Sequence, residues 1–242
     1  MNDVPVLLSK MTRRQFREGV DEGRILGAIV PTGSTEQHNE HLEMLHDTES
    51  VLHIARLVAE KLRPHVVVTT PLAIGISEHW MDHKGTLTTR PEVLVELLHD
   101  VCDSMRRAGI RKILILNGHA GNTRPLQDGL EQLRRRLGLN LDFCSYWEAY
   151  TKEDVASYLD SGDCPGHASE FETSFALAAF PSHVHWEGVD YDRARLTIFS
   201  PEQAQKDRVY HREAELATPE KGRVMIDIAV NWVGERMRRM IQ

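Results

Sequence analysis

The chain has little that would tie it to a nucleic acid, a membrane or an oxidising compartment. Lysine and arginine number 29 against 36 aspartate and glutamate, for a net charge of -7. The basic face that a nucleic-acid partner needs is therefore missing. No apolar run approaches the ~20 residues of a membrane-spanning helix. Met1-Asn2-Asp3-Val4-Pro5 lacks the basic start and apolar middle of a secretory leader, which predicts a cytoplasmic protein. Cys102, Cys144 and Cys164 are odd in number, widely spaced and form no CxxC, which fits reduced thiols better than a disulfide framework. Hydrophobic content of 41% and charged content of 27% are ordinary. Histidine, at 13 residues, is what stands out.

The order of elements predicts an α/β fold in one domain spanning residues 1–242, with a mainly parallel four-stranded central sheet between helical layers. Strands are expected at Ile25–Val30 (ended by Pro31 and Gly33), His65–Thr70, Lys112–Leu116 and Leu139–Tyr146. Helices are expected over 10–22 with Thr12 as N-cap, Thr48–Leu62, Pro91–Arg107 and Pro125–Leu137. In the third of these, Leu94, Leu97, Leu98, Val101 and Met105 point inward. His167–Phe180 turns helical, and a last helix begins at Gly222. Trp147–Gly166 and the stretch from Pro181 to about Pro219 read as irregular.

The segment from Pro31 to Thr48 organises the chain. Between Glu36 and Glu49 it carries three histidines and five carboxylates, on a loop leaving the carboxyl end of a strand, where open α/β sheets place their sites. Glu36 and His38, two apart, leave the same face of an extended segment, and Asp47 lies where the chain turns helical. Carboxylate and imidazole suit divalent cations; the bland alternative is that Asp47 or Thr48 merely caps the helix. His41, Glu40, Glu43 and His46 are expected at the surface or behind the ligands. Asn117-Gly118-His119-Ala120-Gly121-Asn122 runs from a strand end into a helix and brings His119 to the same edge of the sheet. Ser169 and Glu172 fit a capping box, yet an ionised Glu172 could also hold a cation. His167 rides on the preceding loop, placed to move a proton.

These blocks resemble the creatininase (creatinine amidohydrolase) family. Gly33-Ser34-Thr35-Glu36-Gln37-His38-Asn39-Glu40-His41-Leu42 with Asp47-Thr48 is similar to its G-S-x-E-Q-H-G-P-H-L-P…D-T block. Asn117–Asn122 matches N-G-H-G-G-N, and His167 with Glu172-Thr173-Ser174 matches H-x-x-x-x-E-T-S. Ser77–Thr86 and Ala217–Gly222 carry weaker echoes. The resemblance implies a hydrolase of amide bonds with two divalent ions per subunit, Zn and/or Mn with Fe or Mg compatible, commonly assembled as a homohexamer. It implies Glu36, His38, bridging Asp47 and His119 as ligands. Creatininase itself has a liganding Glu where this chain has Gly121, and Glu172 is the natural replacement. Asn39-Glu40 stands in place of Gly-Pro, and both departures point away from creatinine as the substrate.

The activity expected is attack of metal-activated water on a cyclic amide, formamide or peptide, with His167 delivering the proton to the leaving nitrogen. Asn117, Gly121, Asn122, Trp147 and His79 are candidate substrate contacts. A metallophosphoesterase could use similar ligands, but no GDxxD or GNHD run is present. A family member that binds a small ligand without turnover is the other alternative.

Overall fold

The structure, a computed structural model, describes residues 4–187, 189–190 and 201–242. Four parallel strands, β1 (Gly27–Thr32), β2 (Val66–Val68), β3 (Lys112–Asn117) and β4 (Asn140–Ser145), form one sheet in the order β2-β1-β3-β4. The helices are α1 (Arg13–Asp21), α2 (His46–Lys61), α3 (Pro91–Arg107), α4 (Ala120–Leu137), α5 (Lys152–Tyr158), α6 (Glu170–Ala179), α7 (Pro201–Ala214) and α8 (Pro219–Ile241).

The central strands are almost purely apolar because both faces of the sheet are covered. Ala28, Val30, Ile113 and Ile115 pack with Leu94 and Leu98 of α3 and Leu126 and Leu133 of α4. Ile29, Leu114 and Leu116 pack on the other side, with Val51 and Ile54 of α2, Phe175 of α6 and Ala229 and Val233 of α8. From β1 the chain moves to β2 on one side and then crosses to β3 on the other. The gap between the carboxyl ends of β1 and β3 is thus the point where connections diverge, and a crevice opens there.

Several boundaries differ from the sequence expectation. β1 continues through Pro31 to Thr32, in register with Leu116 and Asn117 of β3. Proline is tolerated in this central strand because the Pro31 carbonyl, which accepts from Leu72 N–H, faces the side where β2 has already ended. α2 starts at His46, so neither Asp47 nor Thr48 caps it; Thr48 Oγ1 instead donates to the Ser34 carbonyl. Leu97, expected inside, is 46% exposed at the edge of the α3 stripe. α4 begins at Ala120, five residues before Pro125. α8 begins at Pro219, with Thr218 accepting from Lys221 N–H. Two regions expected to be irregular contain α5 and α7, while residues 191–200 of the second lie outside the described residues.

The loops after β1 and β3 converge on the first turn of α2. A Cβ at Gly118 would lie 2.5 Å from the Asp47 carbonyl oxygen and 2.6 Å from Val51 Cβ, so only glycine lets β3 hand over to α4 while α2 stays pressed against it. Gly118→Ala is expected to cost about 1–3 kcal/mol in chemical denaturation. Wild-type stability would show that the contact yields.

Candidate metal centre

Glu36 and His38 lie on the loop after β1, Asp47 in the first turn of α2, His119 at the N-cap of α4 and Glu172 in the first turn of α6. All five are buried. Ligand atoms of Glu36, Asp47 and His119 lie within 4.8 Å of one another, as do those of His38, Asp47 and Glu172 and those of Glu36, His38 and His167. Asp47 is common to the first two groups. Its Oδ1 is 3.2 Å from His38 Nε2 and its Oδ2 is 2.8 Å from His119 Nδ1. His38 Nε2 is also 3.7 Å from Glu172 Oε2, and His119 Nε2 is 3.5 Å from Glu36 Oε2.

The outer hydrogen bonds of the two imidazoles fix which nitrogen carries the proton. His38 Nδ1 faces the Glu36 backbone carbonyl at 3.1 Å, and His119 Nε2 faces the Ile76 carbonyl at 3.0 Å. A carbonyl only accepts, so in the neutral ring each of those nitrogens must bear the hydrogen. The remaining nitrogens then direct lone pairs at the two oxygens of Asp47. Lone pair against carboxylate needs a positive charge between them, and an imidazole that donates its far N–H to a backbone carbonyl is the usual bearing of a metal ligand. Glu36 Oε2 is buried with no hydrogen-bond partner in the protein, and Asp47 Oδ2 has only His119 Nδ1 beside it. This donor set fits a divalent cation.

His167 is oriented the other way. Asn39 N–H donates to Gln37 Oε1 at 2.9 Å, which turns the Gln37 amide nitrogen towards His167 Nε2 at 2.8 Å. His167 Nε2 therefore accepts, and its Nδ1–H points into the site, 3.6 Å from Glu36 Oε1. Its ring stacks on Trp80 with centroids 4.2 Å apart. Burial, reinforced by His38 nearby, holds His167 well below the usual histidine range and so neutral. Of the three imidazoles, two offer lone pairs and one offers a proton.

Without a cation, protons balance the cluster. Burial disfavours charge on His38, but Asp47, Glu172 and Glu36 outweigh it and hold the ring up at about 10. Burial likewise opposes charge on His119, which Asp47 and Glu36 raise to about 9. Burial and the Asp47 charge push Glu36 up to about 7, and burial pushes Glu172 up to about 8 against the pull of His38. Burial works against ionised Asp47 too, yet the two imidazoles keep it below the carboxylate range.

α6 begins at Glu170, between His167 and Glu172, and this break lets both reach the crevice. The expected capping box does not form. Ser169 makes no side-chain cap bond, and Glu172 Oε2 accepts from Ala168 N–H. That bond holds Ala168 at φ 46, a conformation non-glycine residues seldom adopt. Gly121 cannot take a side chain as placed: a Cβ there would lie 2.1 Å from the Ile76 carbonyl oxygen and 2.5 Å from His119 Nε2. Asn39 has φ 54, so asparagine fills a left-handed position where the family motif has glycine.

A cavity of about 280 Å³ opens over the cluster, lined by Glu36, Asp47, His119, His167 and Glu172 and walled by His79, Trp80 and Trp147. Asn117, Gly121 and Asn122, considered as substrate contacts, are not among its lining residues. Asn117 Nδ2 donates to the His119 carbonyl, and Asn122 joins the Gly33 carbonyl to Ile76 N–H, so both brace the loops that carry ligands. His41 and His46 are buried rather than exposed. His46 lies behind His38 at 5.2 Å between rings, and His41 bonds Thr173 Oγ1 at 2.9 Å. Sequence reasoning assigned no role to Gln37, Trp80, Lys206 and Tyr210. Gln37 and Trp80 sit inside segments it singled out, and Pro201 ahead of a run free of glycine and proline was the available signal for α7.

Residues 9–237 match the family model for Creatininase, creatinine amidohydrolase. The chain is 29% identical over 191 residues to a 3-dehydro-scyllo-inosose hydrolase of Thermotoga maritima, covering 75% of this chain and 58% of that protein. It is 24% identical over 254 residues to a creatinine amidohydrolase of Pseudomonas putida, covering 96% of each. Among solved structures, a Zn-Zn creatininase superposes with a TM-score of 0.79 at 23% identity, and a Mn creatininase with 0.78 at 24%; each covers 97% of this chain and 98% of the other.

The protonated cluster makes cation loading pH-dependent. Ligands must be deprotonated, and His38, His119, Glu36 and Glu172 hold their protons up to about 10, 9, 7 and 8. Calorimetry of Zn or Mn binding to chelator-stripped protein, repeated in buffers of different ionisation enthalpy, should show net proton release at pH 7. Apparent affinity should climb from pH 7 to pH 9. Binding without proton release would mean the cation sits elsewhere.

Proposed function

The chain belongs to the creatininase family, and on that premise we propose that it is a metal-dependent amidohydrolase cleaving the C–N bond of a cyclic amide, formamide or peptide with water. The observation that carries this reading is the orientation of two imidazoles: His38 and His119 each tie one nitrogen to a carbonyl and aim the other at Asp47. Glu36, Asp47 and His119 would hold one divalent ion, and His38, Asp47 and Glu172 a second, with Asp47 bridging. Zn and Mn are the candidates, by similarity to the solved creatininases. Such ions, when bound, acidify water and polarise a carbonyl oxygen.

The remaining work falls to side chains. His167 presents its Nδ1–H, on the cavity side of its ring, as a hydrogen-bond donor to the departing amide nitrogen, and the proton that nitrogen finally carries is the one the attacking water gives up. Gln37 fixes that tautomer through Nε2, and the stack on Trp80 fixes the ring plane. Trp147, Trp80 and His79 form the walls against which a planar amide would lie. Gly121 is closed to any side chain by Ile76 and His119, and the Glu172 carboxylate is the group that would serve a second ion in its place. Among the described residues no helix is long and apolar enough to cross a membrane.

His167→Ala separates proton donation from metal binding. Turnover of a responsive amide, found by screening lactams, formamides and short peptides, should fall by roughly 10²–10⁴-fold while metal content by elemental analysis stays at the wild-type level. Loss of metal in this variant would make His167 a ligand, and full activity would remove it from the reaction.

A further inference from the structure

The cavity's deep end is crowded with carboxylates and imidazoles, but its outer wall is of another kind. Lys206 and Tyr210, four residues apart on one face of α7, both line it, and among the described lining residues Lys206 is the single lysine or arginine. α7 is held in place over the crevice by its neighbours. Asp207 pairs with His83 at 3.2 Å, with both side chains largely buried. His83 packs edge-on against Trp80 at 5.5 Å, Trp80 stacks on His167, and His167 meets the Tyr210 ring at 5.8 Å. A chain of contacts thus joins the proton donor to the helix that presents Lys206.

The Lys206 ammonium is not committed elsewhere. Its ion pair is with Glu202 at 3.5 Å, one turn back, and the two side chains are 55% and 82% exposed. Exposed pairs of this kind contribute little, so the flexible stem can turn the charge to a ligand without a notable loss. A cation at the wall of the cavity that holds the carboxylate and imidazole cluster gives an anion a favoured orientation, with the scissile group facing inward.

We infer that the substrate carries a carboxylate in addition to its scissile amide, and that Lys206, beside Tyr210, is the residue that selects for it. This rests on the amide-hydrolase reading and narrows its substrate to acidic amides, such as a lactam or N-acyl group bearing a carboxylate.

The test compares matched pairs, 5-oxoproline with 2-pyrrolidinone and N-formylglycine with N-formylglycinamide, by calorimetric binding to the Zn- or Mn-loaded protein and by hydrolysis. In the wild type the acids should bind about tenfold tighter than their neutral partners. Lys206→Ala should bring that ratio to about one, and Lys206→Glu should invert it. Equal binding of acid and neutral partner, no binding of either, or an acid preference that survives Lys206→Ala overturns the inference; in the last case the carboxylate is held by the cations. If the Lys206-dependent preference is present but no bond is cleaved in either pair or in a broad amide screen, amide cleavage fails while the carboxylate site stands. Cleavage of neutral and acidic partners alike, with no Lys206 dependence, removes the carboxylate site and leaves amide cleavage standing.

Discussion

A single buried carboxylate facing two imidazoles sets the terms for the rest of this molecule. Asp47 meets His38 through one oxygen and His119 through the other, and as a neutral ring neither histidine can turn its N–H towards it without abandoning a backbone carbonyl. Positive charge must therefore lie between them, as second protons on the two rings or as a cation in their place. The fold holds this arrangement in place, because each participant hangs from a different rigid element.

The sheet order explains how those elements meet. With β1 and β3 adjacent and their connections leaving in opposite directions, the loops carrying Glu36 and His38 on one side and His119 on the other face a common gap. α2 and α6 pack on the same face of the sheet, so their first turns deliver Asp47 and Glu172 to that gap, where Gly118 lets the β3–α4 turn lie against α2. Asn117 and Asn122 finish the assembly by joining the β3 loop to Gly33 and Ile76. Their place is in the frame, which is why a sequence reading that sees polar residues in a glycine-rich turn takes them for substrate contacts.

What the residues made legible in advance followed from density and periodicity. Apolar runs marked all four strands, Pro91 marked the start of α3, and the crowding of histidine and carboxylate between Glu36 and Asp47 marked the loop. Boundaries set by tertiary contact were not legible. Pro31 reads as a strand end until the shortness of β2 is known, and Ser169 with Glu172 reads as a cap until Ala168 claims the carboxylate. α7 was missed because its run is mostly polar and offers little apolar stripe; it is placed by contacts such as Asp207 with His83, which no local pattern announces. The cavity's outer wall went with it.

The same outer contacts that prepare His38 and His119 for a cation set His167 apart from them. All three rings are buried within one cluster, and composition gives no ground for treating them differently. The difference lies in the partner on the far nitrogen: a backbone carbonyl, which forces that nitrogen to carry hydrogen, or the Gln37 amide, which forces it to accept. Gln37 can donate there only because Asn39, in a left-handed turn, supplies the N–H that pins its carbonyl oxygen. The short run from Glu36 to Asn39 therefore does two opposite things at once. It offers Glu36 and a lone pair from His38 to the cation site, and through Gln37 it keeps a hydrogen on the neighbouring ring, so that acid and ligand are separated by hydrogen bonding rather than by distance.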